Sequence, residues 1–213
     1  RLKSEVLPDL PPKTRTFIPV HLSKKDRSPY DIAQEEWDRR IEEAYVNGEK
    51  LPPGTMLNML NDLRHICGQV KVNYAVDWIK QYREQTGKPI VVFTHHRDVL
   101  KRIADKFTNV QIISGDVSSK RRQEIVDDFQ EGHVDVLVCN TIAAKEGITL
   151  TGADTVLFIE REWVPTDEEQ AEDRVYRIGQ ESQHVHAVYL SVAASIDEHF
   201  DRVVEQKRAV VKA

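Results

Sequence analysis

The chain has 213 residues, of which 40% are hydrophobic and 31% charged, a composition typical of a folded globular protein and not of a disordered or fibrous one. Thirty Lys and Arg residues oppose 35 Asp and Glu residues, and the net charge of -5 disfavours a dedicated basic nucleic-acid module. A membrane-spanning or secreted protein is also excluded, because no apolar run approaches roughly 20 residues and the N-terminus is not a signal peptide.

Residues 1–87 are predicted to form a lead-in strand followed by a helical subdomain. The strand lies near residues 16–22, and Pro19 restricts it to an edge of a sheet. Ser28 and Pro29 predict the N-cap and the first residue of a helix. The predicted buried face of that helix consists of Ile32, Ala33, Trp37 and Ile41. Apolar spacing predicts two further helices, over residues 56–63 and 72–82.

Residues 88–213 are predicted to form an α/β domain with a parallel sheet. Short β-branched runs alternate there with helical patterns, and runs that are apolar throughout indicate strands covered on both faces. The predicted strands are residues 90–93, 110–113, 134–138, 155–159 and 185–190. The predicted helices include residues 99–107, 125–129, 171–178 and 196–204. In such sheets, ligands bind at the carboxyl ends of the strands.

The sequence contains no complete phosphate-binding loop. The pattern G-x-G-x-x-G is absent, and Pro89 follows Gly87-Lys88 where a Walker A loop needs Ser or Thr. Two acidic strings resemble magnesium ligands, but each matches the S/T-x-x-E pattern of a helix start, at residues 166–169 and 195–198. His184 and His186 share a face of a predicted strand without a third ligand, so we predict no metal site.

The most informative segment is Q-A-E-D-R-V-Y-R-I-G-Q at residues 170–180. At about 100° per residue, Gln170, Arg174 and Arg177 share one face of the predicted helix. The adjacent apolar stripe consists of Ala171, Val175 and Ile178. Spacing alone also fits a solvated helix face whose arginines pair with nearby carboxylates.

The complete segment resembles motif VI of the Swi/Snf-like branch of the superfamily-two helicases, whose pattern is Q-A-x-D-R-x-x-R-I-G-Q. Other parts of the chain resemble this family in the same order. Residues 91–94 resemble motif IV, and Gly115, Arg122 and Phe129 resemble the segment that follows it. Residues 136–151 resemble motif V, and residues 153–165 resemble the segment between motifs V and VI. Residues 7–13 and 63–67 resemble the family's lead-in to this lobe. Residues 143–145 are A-A-K where A-G-G is usual, and residues 163–165 are W-V-P where W-N-P is usual. The A-A without paired glycines, together with F-T-H-H at residues 93–96, looks closer to the annealing-helicase (HARP-like) subgroup.

The resemblance implies a RecA-like parallel sheet flanked by helices, with the helical residues 1–87 as an insertion and lead-in. In this family ATP binds between two RecA-like lobes, and the first lobe supplies the P-loop and the Mg²⁺ ligands. The chain would be the second lobe, with Arg174 and Arg177 as catalytic arginine fingers. Gln170 would help to position the cleft, and Gly147 would let the backbone approach the nucleotide. The chain alone is expected not to hydrolyse ATP.

The resemblance also implies contacts with the phosphates of duplex DNA. Thr94 and Thr141, each ending a predicted strand, would bind the backbone, with Gly115, Lys145 and Trp163 nearby. For each residue the alternative is an ordinary turn, cap or packing role.

The sequence therefore predicts the second motor lobe of an ATP-dependent DNA translocase, partnered by the first lobe of the same protein. The alternative is a non-catalytic interaction module that keeps the helicase fold, and an enzyme that separates strands or acts on RNA is a third possibility. The chain begins with Arg1 instead of Met, which suggests a piece of a longer protein. Widely spaced Cys67 and Cys139 fit reduced thiols, so we expect an intracellular protein, cytoplasmic in a prokaryote or virus and nuclear in a eukaryote.

Overall fold

Six parallel strands and seven helices make up the part of the chain that the computed structural model describes, residues 10–143 and 147–211. The strands are β1 (Lys13–Val20), β2 (Ile90–Thr94), β3 (Val110–Ile113), β4 (Val136–Asn140), β5 (Thr155–Phe158) and β6 (Val185–Val192). The helices are α1 (Lys24–Val46), α2 (Thr55–Val70), α3 (Val72–Thr86), α4 (Arg97–Ala104), α5 (Ser119–Gln130), α6 (Pro165–Val175) and α7 (Ile196–Val211). The strands form one sheet in the order β1-β6-β5-β2-β4-β3, which confirms the predicted α/β fold class.

The centre of the sheet is buried on both faces. All five residues of β2 are buried, and alternate residues enter different hydrophobic clusters because successive side chains point to opposite faces. Val91 and Phe93 enter the cluster in which the rings of Phe93, Phe158 and Tyr189 stack in sequence. Val92 enters the cluster that α3 and α4 cover. Helices on both faces of the sheet explain why the strand sequences are apolar throughout.

Strand β1 lies at an edge of this sheet, as Pro19 predicts. It pairs with β6 alone among the strands described, with Pro19 opposite Ser191. A residue without a backbone N–H is tolerated at an edge, where one side of the strand has no ladder partner. The lead-in strand from residues 1–87 is thus hydrogen-bonded into the same sheet as the later strands, and the proposed domain boundary at residue 87 stays a prediction.

Two predicted helix starts are wrong. Helix α1 begins directly after Ser23, whose Oγ accepts the N–H of Asp26 at 3.2 Å, and Pro29 lies inside the helix. The cap at Ser23 starts the helix five residues before the predicted cap at Ser28, and Ile32 on the predicted buried face is 61% exposed. Helix α6 begins at Pro165 instead of following a Thr166 cap, because proline favours the first helical position.

The predicted start of α7 is confirmed. The Ser195 Oγ accepts the N–H of Asp197 at 3.1 Å, and the Glu198 carboxylate accepts the N–H of Ala194 at 2.9 Å. The acidic string at residues 197–199 therefore serves a helix start. No helix in the described part of the chain combines the length and the apolar composition that a bilayer crossing needs.

Candidate functional site

Helix α6 carries the first part of the segment 170–180 and ends earlier than its sequence pattern predicts. It stops at Val175, and Tyr176 already leaves helical geometry with φ -82° and ψ 76°. Gly179 has a φ of +96°, which a glycine adopts without steric cost. The predicted placement of Arg177 on the helix and of Ile178 on a buried stripe is wrong, since Ile178 is 71% exposed.

Contacts from outside the helix explain where it ends. The N–H of Leu150 donates to the carbonyl of Arg174 at 2.8 Å. The side-chain amide of Gln180 donates to the carbonyl of Val175 at 3.1 Å and to that of Ala153 at 2.8 Å. These donors satisfy carbonyls that would otherwise need another helical turn.

The turn after α6 brings Arg177 to the predicted nucleotide-binding glycine. The Arg177 Nη1 donates to Thr149 Oγ1 at 3.0 Å and to the carbonyls of Gly147 and Ile148 at 3.4 Å. Gly147 has a φ of +62° and no atom within 4 Å of the place where a Cβ would stand. The glycine is therefore needed for its backbone conformation, and its exposed face leaves room for a ligand.

A pocket of about 370 Å³ lies beside α6 and the turn that follows it. Its lining residues are Leu10, Gln170, Asp173, Arg174, Tyr176, Arg177 and Ile178. Burial and the nearby positive charge of Arg177 lower the pKa of Arg174. Two guanidinium groups that line one open pocket favour an anion with several oxygen atoms, such as a phosphate chain.

The opposite side of α6 contains two buried glutamates that the sequence analysis missed. Glu168, Ala171, Glu172 and Val175 are all buried and follow the i, i+3, i+4, i+7 spacing of a helix face. This spacing could have indicated that both glutamates are buried, but a carboxylate is normally predicted to be solvent-exposed when the cations that pair with it are unknown. Glu168 accepts hydrogen bonds from Arg161 and Arg208 at 2.7 to 2.9 Å.

The two threonines predicted to bind DNA meet at the carboxyl edge of the sheet. Both the N–H and the Oγ1 of Thr141 donate to the carbonyl of Thr94, at 3.0 and 3.2 Å. Thr94 and Thr141 are 0% and 1% exposed, so the structure holds both side chains away from solvent. The buried Oγ1 of Thr94 has no hydrogen-bond partner among the described residues.

The other predicted DNA contacts occupy different surroundings. Gly115 is exposed after β3, and a Cβ on it would lie 3.8 Å from Arg97 Nη2. Trp163 is half-buried and packs on Phe200 with ring centroids 4.2 Å apart, as a packing anchor would. Lys145 lies outside the described residues.

Three histidines and two glutamates surround the turn that follows Thr94. The Glu160 carboxylate accepts the backbone N–H groups of His95 and His96 at 2.9 and 3.0 Å and pairs with the His96 ring. The His95 ring pairs with Glu162, and the His65 ring stacks on His96 with centroids 4.1 Å apart. Burial opposes ionisation of Glu160, but the His96 contacts hold the pKa of its carboxyl below the ordinary value.

Neither histidine group forms a complete metal site. The rings of His184 and His186 lie 4.3 Å apart, and both contact Thr14 Oγ1. The residues described contain no group of three or more His, Cys, Asp and Glu side chains arranged to hold a metal ion.

Comparisons with known proteins give a family match and similarity to relatives over nearly the whole of this chain. The family described as Helicase conserved C-terminal domain matches residues 70–179. The DNA annealing helicase and endonuclease ZRANB3 of Bos taurus is 32% identical over 203 residues, covering 92% of this chain and 18% of that protein. The SWI/SNF-related matrix-associated actin-dependent regulator of chromatin subfamily A-like protein 1 of Xenopus laevis is 32% identical over 219 residues, covering 99% of this chain and 22% of that protein.

A solved structure extends this similarity to the fold. The Sulfolobus solfataricus SWI2/SNF2 ATPase core in complex with dsDNA matches with a TM-score of 0.75 and 26% identity. The match covers 99% of this chain and 48% of that chain. The chain spans about a fifth of the length of the curated relatives it matches.

Proposed function

Because this chain belongs to the helicase conserved C-terminal domain family, with Swi/Snf-type relatives, we propose that it is the second motor lobe of an ATP-dependent DNA translocase. ATP binds between this lobe and a first RecA-like lobe of the same protein, which holds most of the Mg²⁺ contacts. Cycles of binding and hydrolysis then move the motor along duplex DNA. The observation that carries the proposal is the pair Arg174 and Arg177 beside one open pocket.

The two arginines would act on the phosphates of ATP. The Arg177 guanidinium donates to neutral oxygens of Gly147, Ile148 and Thr149. An ionised phosphate adds a full negative charge and offers several oxygens to the charged guanidinium, so ATP would draw Arg177 away from these neutral acceptors. An arginine that stabilises charge in the transition state contributes about 10³- to 10⁵-fold to the rate. Gln170 would orient the pocket wall.

DNA would lie along the carboxyl edge, near Gly115 and the ends of β2 and β4. Exposed backbone at Gly115 suits contact with phosphate oxygens, which needs no sequence-specific side chain. Contact by Thr94 and Thr141 requires this edge to open when DNA binds, and the unpaired hydroxyl of Thr94 would then gain a partner. Lys145 and Trp163 are kept as proposed contacts on the family resemblance.

The proposal is tested by steady-state ATP hydrolysis of the full-length protein with and without duplex DNA. Arg177→Ala is expected to lower kcat by about 10³-fold or more. Arg39→Ala is the matched control, since Arg39 is an exposed arginine of α1 whose ion-pair partner is Glu43. Its kcat should stay within about twofold of the native value because surface ion pairs contribute little.

Three results would contradict this proposal. They are an Arg177→Ala protein with native turnover, vigorous Arg177-dependent turnover by the isolated chain, and stimulation by duplex RNA but not by DNA. The unusual A-A-K at residues 143–145 favours a second candidate, a non-catalytic binding module of helicase fold. That candidate would be supported if the protein bound DNA but hydrolysed no ATP in the presence of any nucleic acid.

A further inference from the structure

Helix α6 turns two chemically different faces to its surroundings. Gln170 and Arg174 line the open pocket, whereas Glu172, between them in sequence, is 0% exposed. A helical step of about 100° per residue places Glu172 roughly 200° away from either neighbour. Glu172 can therefore hold the helix, and with it Arg174, without contacting the nucleotide.

Among the described residues, the Glu172 carboxylate accepts four hydrogen bonds, three from the edge strand β1 and one from its neighbour β6. Its Oε1 accepts from Arg15 Nε at 2.6 Å and from the Tyr189 hydroxyl at 2.7 Å. Its Oε2 accepts from Arg15 Nη2 and Lys13 Nζ, both at 2.7 Å. Lys13 and Arg15 are alternate residues of β1, so they share one face of that strand. The bidentate pair with Arg15 fixes orientation as well as distance.

Strand β1 also follows α6 toward the pocket. Arg15 lies 3.6 Å from the Glu169 carboxylate, and Lys13 Nζ lies 4.8 Å above the ring of Tyr176, the residue before Arg177. Leu10, three residues before β1, lines the pocket itself. The lead-in strand is thus joined to α6 along the part of the helix that bears the pocket residues.

We propose that Glu172 is a positioning residue for ATP turnover, which ties α6 to the lead-in strand β1 and so sets the position of Arg174. This inference rests on the proposed function. The pattern Q-A-x-D-R-x-x-R-I-G-Q leaves position 172 unspecified, so the resemblance assigns it no role. A displacement of about 1 Å in a group that contacts the reacting atoms can cost about 10²-fold in rate.

The test compares Glu172→Gln with Glu168→Gln in the full-length protein. Both glutamates are 0% exposed on α6, but Glu168 pairs with Arg161 and Arg208 and not with β1. Glu172→Gln is expected to lower DNA-stimulated kcat by about 10- to 100-fold, with KM for ATP within about threefold, because the lost effect belongs to the transition state. Glu168→Gln should lower Tm by about as much as Glu172→Gln does, but its kcat should stay within about threefold of the native value.

A more conservative substitution tests the same contact if the Glu172→Gln protein does not fold. Arg15→Lys keeps the charge but removes the bidentate geometry, and it should lower kcat about fivefold or more with little change in Tm. The double variant Arg15→Lys/Glu172→Gln should lose no more activity than Glu172→Gln alone, because the two residues act through one contact. Equal kcat losses in Glu168→Gln and Glu172→Gln, additive losses in the double variant, or native kcat in Arg15→Lys would each overturn the inference.

Arg177→Ala separates the two levels of the proposal. Native turnover in that variant removes the proposed function itself. Loss of turnover in Arg177→Ala, combined with native kcat in the folded Glu172 and Arg15 variants, leaves the motor intact and removes only the role of Glu172.

Discussion

A Gly→Ala substitution inside a helix normally stabilises a protein by about 1 kcal/mol. At Gly68, in the buried part of α2, we expect the opposite sign. A Cβ there would lie 2.6 Å from Glu160 Oε1 and 2.8 Å from Glu160 Cδ, so the carboxylate must move. Glu160 is 1% exposed, and its carboxylate is held by the N–H groups of His95 and His96 and by the His96 ring.

The contacts of Glu160 give the magnitude of the effect. Each hydrogen bond to a charged group contributes about 1.5 to 3 kcal/mol, and displacement of the carboxylate breaks the two that it accepts from the backbone. The loss of about 3 to 6 kcal/mol exceeds the helical gain of about 1 kcal/mol. Gly68→Ala should therefore lower the free energy of unfolding by about 2 to 5 kcal/mol.

The assay is urea unfolding of the chain, with the midpoint compared at an unchanged m value. Asn58→Ala is the matched control, because Asn58 is exposed in the same helix and Ala has the higher helix propensity. The control should raise the midpoint slightly while Gly68→Ala lowers it. A Gly68→Ala midpoint at or above that of the control would refute the reasoning, since it would mean that Glu160 moves without loss.

Two further predictions concern acid stability and DNA contact. Although burial opposes it, the hydrogen bond from Arg15 and the charges of Lys13 and Arg15 lower the pKa of Glu172 from 4.5 to about 2. The ionised Glu172 therefore contributes about 3 kcal/mol to the free energy of unfolding above pH 4.5, and this contribution is lost as the pH falls toward 2. Urea midpoints should drop over that pH range, and they should drop less in Glu172→Gln. Thr94→Val removes a buried hydroxyl without a described partner and should leave stability within about 1 kcal/mol while reducing DNA stimulation of ATP turnover severalfold. Native stimulation in Thr94→Val would exclude Thr94 as a DNA contact.

The sequence predicts the sheet well because the strand signal is local. Residues 110–113 match β3 in full, and β2 extends the predicted run by one residue, to Thr94. Apolar β-branched runs of four or five residues between helical patterns fit a parallel sheet covered on both faces, and the structure has that arrangement. The segment 170–180 likewise suffices for the Swi/Snf-like resemblance, which the family match and the relatives confirm.

Helix ends and buried charges are less predictable because their partners are distant in sequence. The end of α6 depends on Leu150, whose N–H donates to the carbonyl of Arg174 from 24 residues earlier in the chain. The start of α1 is an exception, because Ser23 and Ser28-Pro29 are competing local signals. The burial of Glu172 depends on β1, more than 150 residues earlier, where Arg15 pairs with it across 157 positions. Periodicity identifies the face of α6 on which such a residue lies, but it does not supply the cations that neutralise it.

Because α6 ends at Val175, different parts of the structure hold Arg174 and Arg177 in place. Arg174 is on the helix, so its position follows α6 and the strand to which Glu172 ties that helix. Arg177 is on the following turn, and its guanidinium contacts the segment 147–149, which precedes α6 in the chain. A continuous helix through residue 178 would move both arginines as one body, whereas the observed turn lets Arg177 exchange its contacts while Arg174 stays fixed. On the proposed function, the same eleven-residue segment would supply one arginine whose position is set by the fold and one that a bound phosphate would reposition.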